Sequence, residues 1–200
     1  MPSKDKTPKT HPKSKELAIS PLNLKLLWMP IFALCILIFF SYSSSLDNKF
    51  TNWDDGFYVT GNKSVQKITP ENIKIMFSKL VTDVYVPLTL LSFAVEYHFV
   101  QLKPFIYILD NILIHIAVTL MIFIFGLKIG LKERAAFLGA LLFGIHPMHV
   151  ESVAWITERK DVLYTFFYML AILVYWNYLE RKKLSLFIWT IILGILSMLS

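Results

Sequence analysis

The sequence predicts an all-α integral membrane protein of about five transmembrane helices, with a long non-cytoplasmic first loop that contains short amphipathic helices. Two observations lead there. Of the 200 residues, 56% are hydrophobic and only 17% charged, more apolar surface than a water-soluble core of this length can hide. The charges are also confined to short stretches between apolar runs, several of them close to the roughly 20 residues needed to cross a hydrocarbon layer about 30 Å thick.

The runs fall at about 26–46, 104–127, 133–150, 162–179 and 184–200. The first, fourth and fifth carry no charge, and the second is interrupted only by Asp110 and His115. The third is the weakest. It is short, rich in Gly and Ala, and ends in His146-Pro147, so its far end is expected to stop below the membrane surface. Small side chains let neighbouring helices approach closely, which suits a buried central helix. Cys35, inside the first run, is the only cysteine, so it excludes an internal disulfide and reads as a small buried hydrophobe.

Orientation follows from the basic residues. The tail 1–25 holds Lys4, Lys6, Lys9, Lys13, Lys15 and Lys25, and further cations stand at Lys128, Lys132, Arg134 and Arg181-Lys182-Lys183. Alternate connections are therefore basic. The positive-inside rule puts the tail and the 128–134 and 181–183 loops in the cytoplasm, with residues 47–103 and 147–161 on the opposite side. The net charge of +6 thus reads as topology signals and membrane-lipid attraction, and no nucleic-acid partner is expected. The Lys/Pro/Ser/Thr-rich tail has no apolar periodicity and is expected to be disordered. A long first run behind an extended tail favours a retained anchor over a cleaved signal peptide, whose cut would lie near Ser43-Ser44-Ser45.

Residues 47–103 are too many for a simple connector. Thr69-Pro70-Glu71 is a helix start, with Thr as N-cap, Pro in the first turn and an acid beside it, and with Ile68 and Ile73 spaced for a hydrophobic staple. Ile73, Met76, Phe77 and Leu80 then share a face, the pattern of an amphipathic surface helix. A second is expected from Pro87 through Phe99, where Leu88, Leu91, Val95 and Phe99 line up. Upstream lie Asp54 and Asp55 in Asn52-Trp53-Asp54-Asp55-Gly56-Phe57. Adjacent carboxylates just after a span suit a general base or a metal ligand at the membrane face, while Asp-Gly is also ordinary turn chemistry.

On the same side runs His146-Pro147-Met148-His149-Val150-Glu151, continuing through Trp155 to Glu158-Arg159-Lys160-Asp161. So many ionisable groups at a span end demand partners. Interfacial residues closing the helix ends account for them structurally. A His-x-x-His-x-Glu zinc site lacks a complete ligand pattern and has a proline in its first turn. Within the second span, Asn111 and His115 are four apart and share a face, with Asp110 adjacent, which fits interhelical hydrogen bonding or a catalytic role.

Taken together, these elements resemble the membrane region of the C-type glycosyltransferases that use lipid-linked sugars, and in particular the transmembrane and tetratricopeptide-repeat protein O-mannosyltransferases and their prokaryotic relatives. The matching pieces are Asp54-Asp55, Tyr85-x-Pro87-Leu88-Thr89-x-Leu91-Ser92-Phe93, Asn111-x-x-x-His115, and His146-Pro147-x-His149-x-Glu151-x-Val153-Ala154-Trp155 followed by Arg159-x-Asp161. Relatives often carry a His where this chain has Ile108. They also continue through further spans and into helical repeats, so 26–200 resembles the N-terminal part of such an enzyme, to be completed by a missing C-terminal half or a partner membrane subunit.

The resemblance implies transfer of a sugar from a polyprenyl-phosphate donor to a hydroxyl acceptor at the non-cytoplasmic face. It makes Asp54, Asp55, His149 and Glu151 the catalytic candidates and Arg159 and Lys160 the donor-phosphate cations, supported by His146, Asp161, Asn111 and His115. A divalent cation is left open as cofactor. A non-catalytic subunit or remnant, and a lipid-linked glycan carrier, are the alternatives. The implied location is a multi-pass protein of the plasma or inner membrane in a prokaryote, or of the endoplasmic reticulum in a eukaryote.

Overall fold

A computed structural model describes residues 27–200; the basic tail lies outside the described residues. The ordered elements are α1 (Trp28–Tyr42), α2 (Pro70–Met76), α3 (Pro87–Val100), α4 (Pro104–Lys128), α5 (Glu133–Gly144), α6 (Val150–Ala154), α7 (Arg159–Arg181) and α8 (Leu184–Met198). Short 3₁₀ turns at Ser43–Asp47, Pro147–His149 and Ile156–Glu158 and a π turn at Gly56–Thr60 link them. Among the described residues there is no strand, only an isolated bridge between Val81 and Val84.

Among the described residues three helices are long and apolar enough to span a membrane: α1 with its following turn, α4, and α7 with its preceding turn. A fourth apolar segment is broken: α5 and the segment Pro147–Ala154 form a pair bent by 46°, the shape of a broken span or of a re-entrant loop. Proline explains the break, because a Pro147 amide has no proton to extend the helix and its ring disfavours helical geometry at His146. The fifth expected span, α8, has 15 residues. At 1.5 Å per residue that is about 22 Å, short of a hydrocarbon layer of about 30 Å.

Helix α4 is the hub, packing against α1, α5 and α7, while α8 packs on α7. Small residues set the closest approaches. A Cβ on Gly144 would lie 2.8 Å from the Ile38 side chain and 3.1 Å from Thr119, so α1, α4 and α5 meet at this glycine. Gly126 sits against Ala136 in the same way. The chain turns from α4 to α5 through Gly130, whose φ of +91° is left-handed backbone that a side chain would strain. Helix α5 is not a buried central helix, however. Ala136, Ala140 and Gly144 face inward, but Leu138 and Leu142 are exposed, so the small face makes the contacts and the leucines face lipid.

The two ends of the bundle differ in charge. At one end Lys128 Nζ donates to Asn177 Oδ1 at 2.9 Å and lies 3.6 Å from Glu180, joining the ends of α4 and α7 beside the basic connections. At the other end sit the loops that carry the acidic and histidine-rich motifs.

The first loop folds as two short helices. Thr69 Oγ1 accepts from the Asn72 amide at 3.2 Å, and Pro70 opens α2, as the capping pattern requires. Helix α2 ends at Met76, so Leu80 of the expected stripe lies beyond it. Helix α3 forms where expected: Val95 and Phe99 of the expected stripe face outward, Phe99 at 77% exposure, and a second apolar face, Leu90, Phe93 and Ala94, packs inward. With apolar residues on both faces and lipid beside it, the outer stripe is satisfied by hydrocarbon instead of by the core.

Candidate active site

The loop end is organised around two buried charged side chains, Asp55 and Arg159. Asp55 is fully buried. Its Oδ2 accepts from the Thr51 amide at 2.6 Å and from Thr51 Oγ1 at 3.2 Å, and its Oδ1 accepts from Trp155 Nε1 at 3.0 Å. The last bond spans one hundred positions of sequence and clamps the aspartate turn onto the second loop. Trp53 packs edge-on against Trp155, and Asn48 Nδ2 donates to the Ala154 carbonyl at 3.3 Å, so the same two loops are held at three points.

From Trp155 the network passes inward. The Trp155 carbonyl accepts from Asn111 Nδ2 at 3.1 Å, and Asn111 Oδ1 accepts from Arg159 Nε at 2.7 Å. Arg159 opens α7 with 1% exposure. Its Nη2 donates to the Tyr107 carbonyl at 2.6 Å, its Nη1 pairs with Glu96, and its guanidinium lies 4.8 Å from the centre of the Phe93 ring. A charge buried this deeply requires such a set of partners. Burial pushes the Glu96 carboxyl up to about 8, against the pull of Arg159.

The remaining candidates lie around this network. The Asp54 carbonyl caps the turn by accepting from the Phe57 and Tyr58 amides, but its half-buried carboxylate has no hydrogen-bond partner among the described residues. Glu151 is exposed and, with Lys49, Thr51 and Trp155, lines a cavity of about 400 Å³ between the two loops. His115 is buried and hydrogen-bonds the Gly144 carbonyl through Nε2 at 2.9 Å, which makes Nε2 the protonated nitrogen. His149 stacks 4.4 Å from Phe143 and 5.5 Å from His115, and with Asp161 these histidines line a small void of about 70 Å³. Asp161 Oδ2 accepts from Ser152 Oγ at 2.9 Å, His146 Nδ1 accepts from the Met148 amide at 3.2 Å, and Lys160 pairs with Glu158 at 2.6 Å.

The structure therefore brings Asp55, Asn111 and Arg159 into one network, gathers His115, His149 and Asp161 around one void, and leaves Asp54, His146 and Glu151 outside both. Among the described residues no three His, Cys, Asp or Glu side chains converge on one point, and Asp55 already has three donors. The residues present do not fit a resident divalent ion. Glu96 and Lys49 are site residues that motif reasoning passed over. Glu96 had a signal: it is the sole acid on the otherwise apolar stretch Pro87–Val100, and a buried Arg159 needs an acid.

Helices of spanning length around a hub, with polar loops gathered at one end, define a multi-pass all-helical integral membrane protein. No family model matches the chain, and no solved structure matches it. Curated proteins do. The chain is 34% identical over 150 residues to Protein O-mannosyl-transferase TMTC1 of Mus musculus, a match covering 70% of this chain and 16% of that protein. Over 91 residues it is 38% identical to Protein O-mannosyl-transferase TMTC3 of Mus musculus, covering 46% of this chain and 10% of that protein. Over 156 residues it is 31% identical to Protein O-mannosyl-transferase TMTC4 of Homo sapiens, covering 67% of this chain and 21% of that protein. The chain is homologous to the TMTC proteins through its membrane helices, and it spans between a tenth and about a fifth of their length.

Proposed function

We propose that this chain forms part of a membrane glycosyltransferase that moves a sugar from a polyprenyl-phosphate donor to a hydroxyl acceptor at the loop end of the bundle. The relatives' names point to mannose as the sugar and a protein hydroxyl as the acceptor. Segments that the relatives carry outside the matched region, in the same polypeptide or in a partner subunit, complete the enzyme. The observation that carries this is the Asp55–Trp155 clamp, which ties the turn bearing Asp54, a carboxylate with no hydrogen-bond partner among the described residues, to the second polar loop.

The acceptor oxygen attacks the anomeric carbon, the bond from that carbon to the donor phosphate breaks with its electron pair leaving on phosphate, and the acceptor proton passes to a base. Asp54 is the base, because its carboxylate is partly exposed and unpartnered whereas Asp55 is saturated by three donors. Asp55, Asn111 and Arg159 are positioning residues. Charge on the departing phosphate is met by Lys160 and Lys49, since Arg159 is buried and its guanidinium nitrogens are held by Asn111, Glu96 and the Tyr107 carbonyl. Glu151 orients groups entering the interloop space. The loop end opposes the basic connections, so the positive-inside rule makes it the non-cytoplasmic end.

The test is transfer from a polyprenyl-phosphate mannose by the chain together with whatever completes it. Asp54→Asn should lower turnover about 100-fold, the scale of a positioned base, with donor binding retained. Normal turnover by that variant overturns the assignment.

A further inference from the structure

The end of the bundle opposite the loop end carries charges that the transfer chemistry does not use. Lys128 closes α4 with its side chain only 17% exposed, held between Asn177 Oδ1 at 2.9 Å and Glu180 at 3.6 Å. Glu180 also accepts from Trp176 Nε1 at 2.6 Å, and the Trp176 ring meets Phe125 edge-on at 6.0 Å. These contacts hold the ends of α4 and α7 together. The connection from α4 to α5 is pinned at the same place, because the Leu131 amide donates to the Gly126 carbonyl at 3.0 Å and Gly126 packs on Ala136. The connection from α7 to α8 turns at Lys182, whose φ of +52° is left-handed backbone, and the Tyr178 and Phe187 rings meet at 5.3 Å across the turn. Two connections far apart in sequence therefore leave the bundle side by side.

Both connections are basic. Lys132 and Arg134 stand on one, Arg181, Lys182 and Lys183 on the other, and all five are exposed. None of them makes an ion pair among the described residues. The neighbouring acids do not offset them: Glu180 is taken by Lys128 and Trp176, and Glu133 stands in the first turn of α5, where it faces the positive end of its own helix. Cations gathered this closely act as one patch, since their fields reach about 8 Å at physiological salt. The positive-inside rule accounts for the sign of each connection but requires no contact between them. The Lys128 bridge supplies that contact. Apolar side chains border the patch and face outward, Ile129 at 46%, Leu131 at 47% and Leu184 at 69% exposure, so an anion seated there lies beside hydrocarbon. That favours a lipid headgroup over a soluble anion.

We propose that the two basic connections together bind the phosphate of an anionic phospholipid, whose acyl chains lie against Ile129, Leu131 and Leu184. The headgroup bridges Lys132 and Arg134 on one connection and Arg181 and Lys183 on the other, tying the start of α5 to the start of α8. A zwitterionic lipid binds less well, because its own ammonium offsets the phosphate and meets the same cations. The proposal does not rest on the transfer reading, which uses the opposite end of the bundle.

Native mass spectrometry of the purified chain tests it, from detergent micelles holding equal amounts of phosphatidylglycerol and phosphatidylcholine. The parent chain should retain phosphatidylglycerol roughly ten-fold over phosphatidylcholine. Lys132→Gln with Arg134→Gln, and Arg181→Gln with Lys183→Gln, should each cut that preference to about three-fold or less, because the headgroup needs both connections. Lys63→Gln with Lys67→Gln removes the same charge from exposed positions of the first loop and should leave the preference unchanged. The comparison of the two lipids on the parent chain needs no variant, so it decides the matter even where a variant fails to fold. Equal retention of the two lipids by the parent, a loss in the Lys63 and Lys67 variant as large as in the others, a loss from only one of the two basic pairs, or competition by free glycerol 3-phosphate as effective as by phosphatidylglycerol would each overturn the proposal.

Discussion

Arg159→Met removes the cation at the centre of the loop-end network while keeping an unbranched side chain of similar length. Three groups lose a partner: Glu96 Oε1, Asn111 Oδ1 and the Tyr107 carbonyl. The Tyr107 carbonyl lies within α4 and keeps its place in the helical ladder, so its loss is small. Asn111 keeps its bond to the Trp155 carbonyl and loses its other, which costs about 1–3 kcal/mol for a buried acceptor. Glu96 is left as a buried carboxyl with no donor, and breaking a buried pair by removing one partner costs about 3–5 kcal/mol. Burial holds the Glu96 carboxyl at about 8 even beside Arg159, so near neutral pH it already carries its proton and loses a hydrogen bond more than an ion pair, which keeps the total toward the low end of that range. Unfolding in mixed micelles of increasing dodecyl sulfate, followed by tryptophan fluorescence, measures the loss. Adding Glu96→Gln to Arg159→Met should restore at least about 1 kcal/mol, because the two substitutions remove a pair and not two independent interactions. An Arg159→Met protein as stable as the parent, or a double variant whose losses simply add, would refute the buried-pair account.

Asp55→Asn should destabilise the fold by about 1–3 kcal/mol, because an amide nitrogen would face the Trp155 or Thr51 donors, while Asp54→Asn should leave unfolding unchanged; equal effects on stability would contradict the division between the two. The Glu96 carboxyl is raised in the fold from 4.5 to about 8, so its contribution to stability is complete at low pH and is lost as pH rises through that window; a pH series of the same unfolding assay should show the fall, and Glu96→Gln should remove it. Gly144→Val should separate α1 from α5 and weaken the His115 bond to the Gly144 carbonyl, seen as a loss of about 2 kcal/mol or more, since Ile38 and Thr119 already fill the space a side chain needs. In a Cys35→Ser background, cysteines introduced at Glu151 and Lys182 should react with an impermeant maleimide from opposite faces of a sealed membrane; reaction from one face would reverse the orientation.

Composition and patterning were enough to determine much of this protein. Uncharged runs dictate membrane helices whatever they pack against, because a backbone in hydrocarbon must satisfy its own hydrogen bonds. Thr69-Pro70 fixed the start of α2, and Pro147 the break after α5, for equally local reasons. The bunching of polar groups at residues 146–161 marked the loop end before any contact was known. Tertiary structure decided what each polar group does. Asp54 and Asp55 are adjacent and chemically identical in sequence, yet Trp155, a hundred residues away, completes the donor set of Asp55 that Thr51 begins, while Asp54 stays unpaired among the described residues. Arg159 reads as an exposed cation at a helix start, and only the approach of α3 turns it inward against Glu96. The inward face of α3, Leu90, Phe93 and Ala94, was equally illegible, since hydropathy cannot tell an apolar stripe that meets protein from one that meets lipid: both remove it from water, and the choice between them rests on which neighbour packs alongside.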